Sequence, residues 1–444
     1  MRMPIKTDIS QAPPVGAGEQ TDDKSAVTLL SAQVLIPGRG KPIQHGAVAV
    51  RGGKIEWVGS FASRPEEYRS IRPTSVHVLM PGLWDCHVHF LALDVVQPAS
   101  NIIGFLPGSA ALAGAVIVDD LRRALAAGYT TVRELGGYGA DLFPGIQKGA
   151  LVGPNVYSSV SAISITGGHG DIQQMPLSAV EAAMAHGSAP LAVCDGIDGC
   201  LKTVRSMVRR GARVIKVCSS GGVLSLNDDP EDCQFSDEEL KAIVDEAGRS
   251  RRAVASHAIG KAGIMAALRA GVKSIEHGMY LDEEVADAML KAGAIYVPTQ
   301  HVVRVITTDY RDKIPPSSLE KALALVEQSK KAYKTAIRKG VKIALGTDIA
   351  SSDPSSKLSH GNNAHELAYA VELGMTPLQA IESATANCPE TLGGMAPLSG
   401  QLKAGYDADI IAIKANPLDD ISILTDPDNI THVWKGGELF KGSS

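Results

Sequence analysis

From residue 81 to about 387 the chain repeats one phrase: an amphipathic stretch closed by glycine, then a short apolar run. Glycine is the natural residue just past a helix, where the backbone turns left-handed. The phrase occurs at Ala127-Gly128 before 130–132, at Arg210-Gly211 before 214–217 and at Ala270-Gly271 before 274–277. It returns at Ala292-Gly293 before 295–297 and at Lys339-Gly340 before 342–345. Adding 78–80 with its extension to His89, 155–157 and 253–256 gives eight predicted strands. Ser236 followed by Glu239 is a capping-box pattern and predicts a helix over 236–249. Short apolar strands separated by helices imply parallel βαβ units, and eight of them close naturally into a (β/α)8 TIM barrel. A doubly wound open sheet is the alternative α/β architecture.

The flanks follow a different period. Residues 26–77 alternate apolar and polar positions and break at Pro37-Gly38, Gly52-Gly53 and Gly59, as short antiparallel strands do. Residues 396–444 do the same through 408–413 and 431–437. The two ends are expected to form one small β-sandwich beside a catalytic barrel spanning 78–395. Residues 1–25 carry Pro13-Pro14, Gly16 and Gly18 without the apolar segment of a secretory signal, and read as a flexible tail.

Composition narrows the class. With 44% hydrophobic and 20% charged residues the chain is of ordinary globular type. A net charge of −5 on interspersed acids and bases offers no basic surface for nucleic acid or an acidic membrane. No apolar run is long enough to span a bilayer, so a cytoplasmic location is expected. Cys86, Cys194, Cys200, Cys218, Cys233 and Cys388 are scattered without CxxC pairs and read as free thiols.

The candidate chemistry lies at the predicted strand ends. In His87-Val88-His89 two imidazoles on one extended segment point the same way and can grip one metal ion. The fourth strand presents Lys216, the fifth ends in His257, the sixth in His277 and the eighth in Asp348. Singly, His257 reads as a core histidine and Asp348 as a helix cap. A lysine in an apolar strand is harder to dismiss, since an unpaired buried ammonium is costly. Six such residues at the end of a barrel where active sites gather point to one metal-binding rim. His169, in a glycine-rich loop, either meets substrate or orders its loop, and His360 and His365 either touch substrate or cap a helix.

On His87-Val88-His89, Lys216, His257, His277, Asp348 and the closing 400–409 segment, the chain resembles the amidohydrolase superfamily, binuclear-metal subtype. A closer resemblance, to ochratoxinase-like amidases and the related Xaa-Pro dipeptidases, rests on residues 80–87, 149–158, 168–172, 214–223 and 260–267. It implies two divalent ions, Zn2+ by preference, held by His87, His89, Lys216, His257, His277 and Asp348, with Lys216 carboxylated by CO2 to an anionic bridge. It implies hydrolysis of an amide bond in an N-acyl amino acid such as ochratoxin. Asp348 would be the general base and acid, and His169 would steady the oxyanion. His169, Gly222 and Val223 would border the substrate, whose free carboxylate could pair with Arg304 or Arg133. Xaa-Pro dipeptidase activity, or hydrolysis of another cyclic amide or lactone, is the alternative. Gln300-His301 stands where an arginine is expected in the amidases, and 351–367 looks more like the dipeptidase side. A homo-oligomer, with an octamer as the suggested form, is also implied. A non-catalytic scaffold of the same fold would have lost ligands, and none of the six is missing here.

Overall fold

The computed structural model describes residues 26–93, 110–187 and 190–443; the expected tail, 1–25, lies outside them. The described chain opens with β1 (Val27–Leu35), β2 (Ile43–Arg51) and β3 (Lys54–Ser60), an antiparallel meander. Gly52 and Gly53, both at positive φ, supply the left-handed turn that a two-residue hairpin requires. β4 (Thr74–Pro81) then runs parallel to β1.

The middle of the chain carries β5 (Leu83–Leu93), β6 (Tyr129–Glu134), β7 (Asn155–Ser158), β8 (Ala162–Ser164), β9 (Leu191–Val193) and β10 (Ile215–Cys218). These are followed by β11 (Val254–Ala258), β12 (Ser274–His277), β13 (Ile295–Val297) and β14 (Ile349–Ser351). β15 (Ile410–Ile413), β16 (Ile430–Lys435) and β17 (Glu438–Lys441) close the chain.

The two chain ends, expected to pair into one small β-sandwich, do pair, in one hydrogen-bonded sheet of seven strands ordered β17-β16-β15-β4-β1-β2-β3. β4 is the reason: it pairs parallel with β1 and antiparallel with β15, joining the two ends of the chain in one ladder. The sheet bends so that its far edge returns, with Ile55 N donating to Tyr406 O at 2.9 Å. Leu30, Val48, Ile55, Leu79, Ile410 and Trp434 fill the resulting fold with one apolar cluster. Residues 78–80, expected at the head of the first barrel strand, belong to this sheet, and the barrel-type strand begins at Leu83.

The central strands form two parallel sheets, β13-β12-β11-β10-β8-β9 and β14-β5-β6-β7. β8 and β9 were not expected from the sequence pattern, being only three residues each. Single backbone bonds reach between the sheets. Arg213 N donates to Ser158 O at 2.8 Å, and Cys86 N donates to Leu345 O at 2.8 Å. Residues 342–345, the expected eighth strand, make isolated bonds to both neighbours instead of a continuous ladder: Tyr296 N reaches Lys342 O at 2.9 Å and Ala344 N reaches Tyr296 O at 3.0 Å. The architecture is α/β of TIM-barrel type with an appended sheet.

Helix boundaries follow local chemistry. Ser236 and Glu239 make the anticipated capping box at the head of the Asp237–Arg249 helix. Gly271, Gly293 and Gly340 end their helices in the left-handed conformation. No helix among the described residues is long and apolar enough to cross a membrane.

Gly82 marks the crossing from the terminal sheet to the parallel strands. A Cβ there would lie 2.1 Å from Thr130 Oγ1 and 2.4 Å from Thr130 Cγ2. Gly82→Ala is therefore expected to cost about 1–3 kcal/mol, the usual range for overpacking. An unchanged urea-denaturation midpoint would contradict this account of the crossing.

Candidate metal centre

His87, His89, Lys216, His257, His277 and Asp348 all line one cavity of about 150 Å³. Their strands bring them there: the two histidines from β5, Lys216 from β10, His257 from β11, His277 from the end of β12, and Asp348 from the approach to β14. The donor atoms of His87, His89 and Asp348 lie within 4.8 Å of one another. His89 Nε2 is 3.1 Å from Asp348 Oδ1, and His87 Nε2 is 3.5 Å from it. Ring centroids continue the chain of contacts, 5.0 Å from His87 to His277 and 4.6 Å from His277 to His257.

Each of these four imidazoles has one nitrogen engaged by protein and one left for the cavity. His87 Nδ1 donates to Glu276 Oε2 at 3.0 Å and His89 Nδ1 donates to Gly136 O at 2.7 Å. His277 Nδ1 meets Thr299 Oγ1 at 2.8 Å. In all three, Nε2 is the nitrogen left for the cavity. His257 is turned the other way, its Nε2 donating to Gly221 O at 3.0 Å and its Nδ1 left over. Carbonyl and carboxylate oxygens only accept, so they make Nδ1 of His87 and His89 and Nε2 of His257 the donors, as outer partners of metal-binding histidines do. Burial pushes His87, His257 and His277 well below the usual histidine range, with repulsion from neighbouring cationic groups adding to it. They are therefore held neutral, the form that ligates.

Lys216 is the anomaly. Its amine is buried and has no hydrogen-bond partner. Desolvation holds its pKa below the ordinary lysine value against the opposing pull of Glu276 and Asp348. Burial works to raise the Asp348 carboxyl, but His87, His89 and Lys216 outweigh it and hold it below the usual carboxylate value. An orphaned amine facing several imidazole lone pairs and one ionised carboxylate is a donor set that fits divalent cations once the lysine becomes anionic.

Beneath the cavity lies a buried ion pair. Arg133 donates to Glu276 Oε1 at 2.7 Å, to Cys86 O at 2.6 Å and to Ser274 Oγ at 2.9 Å. A second buried carboxylate ties the first strand to the last. Asp85 accepts from Thr347 Oγ1 at 2.6 Å, Asn363 Nδ2 at 2.8 Å and His87 N at 3.0 Å. The backbone is strained where function is placed: His277, Thr299 and Asp348 all have positive φ. Such a conformation costs a non-glycine residue about 1–2 kcal/mol and persists only where surroundings enforce it.

Other expectations resolve differently. His169 lines the cavity, stacked on His257 at 4.1 Å, with Nδ1 2.9 Å from Ser225 Oγ. Val223 also lines it. Gly222 sits against His169, where a Cβ would be 2.0 Å from Nδ1, so its role is to admit that ring. Neither arginine lines the cavity. Arg133 is fully buried in its ion pair, and Arg304 makes a bidentate pair with Glu372 at 2.8 and 2.9 Å. His360 stacks on Phe90 and contacts His89 O, while His365 stacks on His301. The backbone N–H groups of Gln300 and His301 donate to Glu366, so that pair starts a helix and its sequence position says nothing about a carboxylate site. All six cysteines are free, and Cys218 lines the cavity.

Sequence pattern passed over Asp85, Arg133 and Glu276 as supports of the site. The available signal was a charge inside a run otherwise read as a buried strand.

Residues 78–440 match the amidohydrolase family, and the chain belongs to that family. Within it, 45% of 450 aligned residues are identical to the ochratoxinase of Aspergillus niger, covering 99% of this chain and 91% of that one. The crystal structure of A. niger ochratoxinase superposes with a TM-score of 0.86, over 94% of this chain and 96% of that one. A Xaa-Pro dipeptidase with methionine bound in its active site matches at 30% identity with a TM-score of 0.81, over 94% of this chain and all of the other.

The orphaned amine yields a direct expectation. In protein stripped with chelator, Lys216→Met removes an unpaired buried polar group at nearly constant volume. It should raise stability by about 1–3 kcal/mol. A lower denaturation midpoint for this variant than for stripped wild type would show that the amine is satisfied after all.

Proposed function

We propose that this amidohydrolase hydrolyses the amide bond of an N-acyl amino acid with a large apolar group, ochratoxin being one such compound. The observation that carries the reading is the convergence of six donor residues on one cavity whose remaining lining is mostly apolar. Its apolar wall includes Val223, Leu224, Val302, Ile306, Met279 and Leu325. The 45% identity to ochratoxinase over nearly the full chain supports the same substrate class. The Xaa-Pro dipeptidase alternative rests on a more distant likeness. Asp348 is the sole carboxylate among the described residues lining the cavity, so none there is spare for a dipeptide's free amine. We also read the backbone bonds at Ser158 and Leu345 as closing the strands into an eight-membered barrel.

His87, His89, His257, His277 and Asp348, with Lys216 as its carbamate, would hold two divalent ions, zinc being the first choice. CO2 adds to the neutral amine of Lys216 and one N–H proton leaves, turning an unpartnered amine into a two-oxygen anion. When bound, the ions supply Lewis-acid charge for the scissile carbonyl and make water a competent nucleophile near neutral pH. Asp348, between the His87 and His89 rings, accepts the proton of the attacking water and returns it to the leaving amine. His169, its Nδ1 engaged by Ser225, offers Nε2–H to the carbonyl oxygen as negative charge develops there. The products are a carboxylic acid and an amine.

Elemental analysis of protein prepared without chelator should give about two divalent ions per chain, and fewer than one would overturn the binuclear reading. Lys216→Ala should abolish turnover and regain part of it with short carboxylic acids. His169→Asn should lower kcat about 100-fold, as loss of one oxyanion donor does. N-acyl-phenylalanines, ochratoxin and Xaa-Pro dipeptides assayed together settle the substrate class. A preference for Xaa-Pro would replace the first reading with the second.

A further inference from the structure

We infer that Lys321 is a positioning residue of this site, holding the 221–234 loop closed beside the cavity and, through it, aiming His169. The inference rests on the reading of His169 as the group that meets the substrate carbonyl. Lys321 lies on the Pro316–Lys339 helix, next to Ala322, which lines the cavity. Its side chain is mostly covered, and its ammonium points into a single loop. Nζ donates to Gly222 O at 3.3 Å, to Ser225 O at 3.0 Å and to Asp228 O. Asp228 Oδ1 stands 3.9 Å away. An ammonium has three protons, and here all three go to backbone carbonyls of one segment.

That segment grips His169 at the ring and at the backbone. Ser225 Oγ meets the ring at Nδ1, and Gly222 supplies the surface on which the ring lies. The His169 N–H donates to Gln234 Oε1 at 3.1 Å. Gln234 in turn donates through Nε2 to Asp228 Oδ2 at 3.1 Å, which also accepts from Gly222 N at 3.2 Å. Asp228 is buried, so carbonyls and carboxylate crowd one small volume with Lys321 as the adjoining cation. Without it, three carbonyls lose a charged donor and the carboxylate loses its counter-charge, and opening to water becomes the favourable alternative. Val223 and Leu224, between the pinned carbonyls, form part of the apolar wall. One lysine thus sets both the polar and the apolar sides of the loop.

Lys321→Met keeps the stem and removes every donor. With an N-acyl-phenylalanine as substrate, it should lower kcat about tenfold or more, with a smaller rise in KM and unchanged metal content. If Lys321 acts through His169, the two changes are not independent. Lys321→Met added to His169→Asn should then lower kcat less than about threefold further. Multiplicative effects, or a Lys321→Met kcat within twofold of wild type, would overturn the inference. Hydrogen exchange provides a readout that needs no substrate: peptides spanning 221–234 should exchange faster in Lys321→Met, and unchanged protection would also overturn it. Wild type failing to turn over N-acyl-phenylalanine would count against the proposed substrate, while the exchange measurement would still decide the role of Lys321. Should Lys321→Met not fold, Lys321→Gln, which loses the charge and keeps a donor, is read in the same cycle.

Discussion

A single carboxylate, Glu276, joins the core of this protein to its chemistry. One oxygen holds the Arg133 guanidinium at 2.7 Å and the other holds the His87 ring at 3.0 Å. Buried opposite charges are worth little to stability when compared with an apolar replacement, yet removing one partner strands the other at a cost of about 3–5 kcal/mol. The pair is therefore better understood as a fixed reference than as a source of stability. Arg133 passes the constraint to the backbone at Cys86, next to His87. The tautomer of His87, and with it the direction of its free nitrogen, follows from this arrangement. The same logic recurs at His89 and His257, where backbone carbonyls are the acceptors.

The cavity is divided by chemistry. Its lining combines the imidazoles, Asp348 and Lys216 with aliphatic side chains from helices, strands and a loop. Family membership accounts for the polar half, which depends on strand positions common to the fold. The apolar half rests on loops and helices after the strands, where substrate choice is carried in barrels of this kind.

Much of this was legible in the chain. Glycine after each amphipathic stretch marked real helix ends, and the six residues at strand ends do meet in one cavity. Period and punctuation are local properties, and local properties survive folding. Hydrogen-bond partnership across long separations does not show in them. Residues 78–80 look like the head of a barrel strand because they are apolar, but β4 pairs with β1 and β15 instead. Residues 342–345 look like a strand and make only isolated bridges. Arg133 and Arg304 look like free cations in the sequence, and each is claimed by an acid more than sixty residues away. Positive charge on a line of text says nothing of the partner that neutralises it.

Asp85 has a consequence for how the molecule comes into being. Its carboxylate binds Thr347, 262 residues further along, and Asn363, 278 residues further along. The first and last walls of the reaction chamber are thus united by contacts between residues far apart in the chain. Contacts of such separation form late, because the loop they close is entropically expensive. A chain synthesised only as far as Lys216 would hold Asp85 with neither Thr347 nor Asn363 in place, so the chamber cannot be completed before residue 363 has been made.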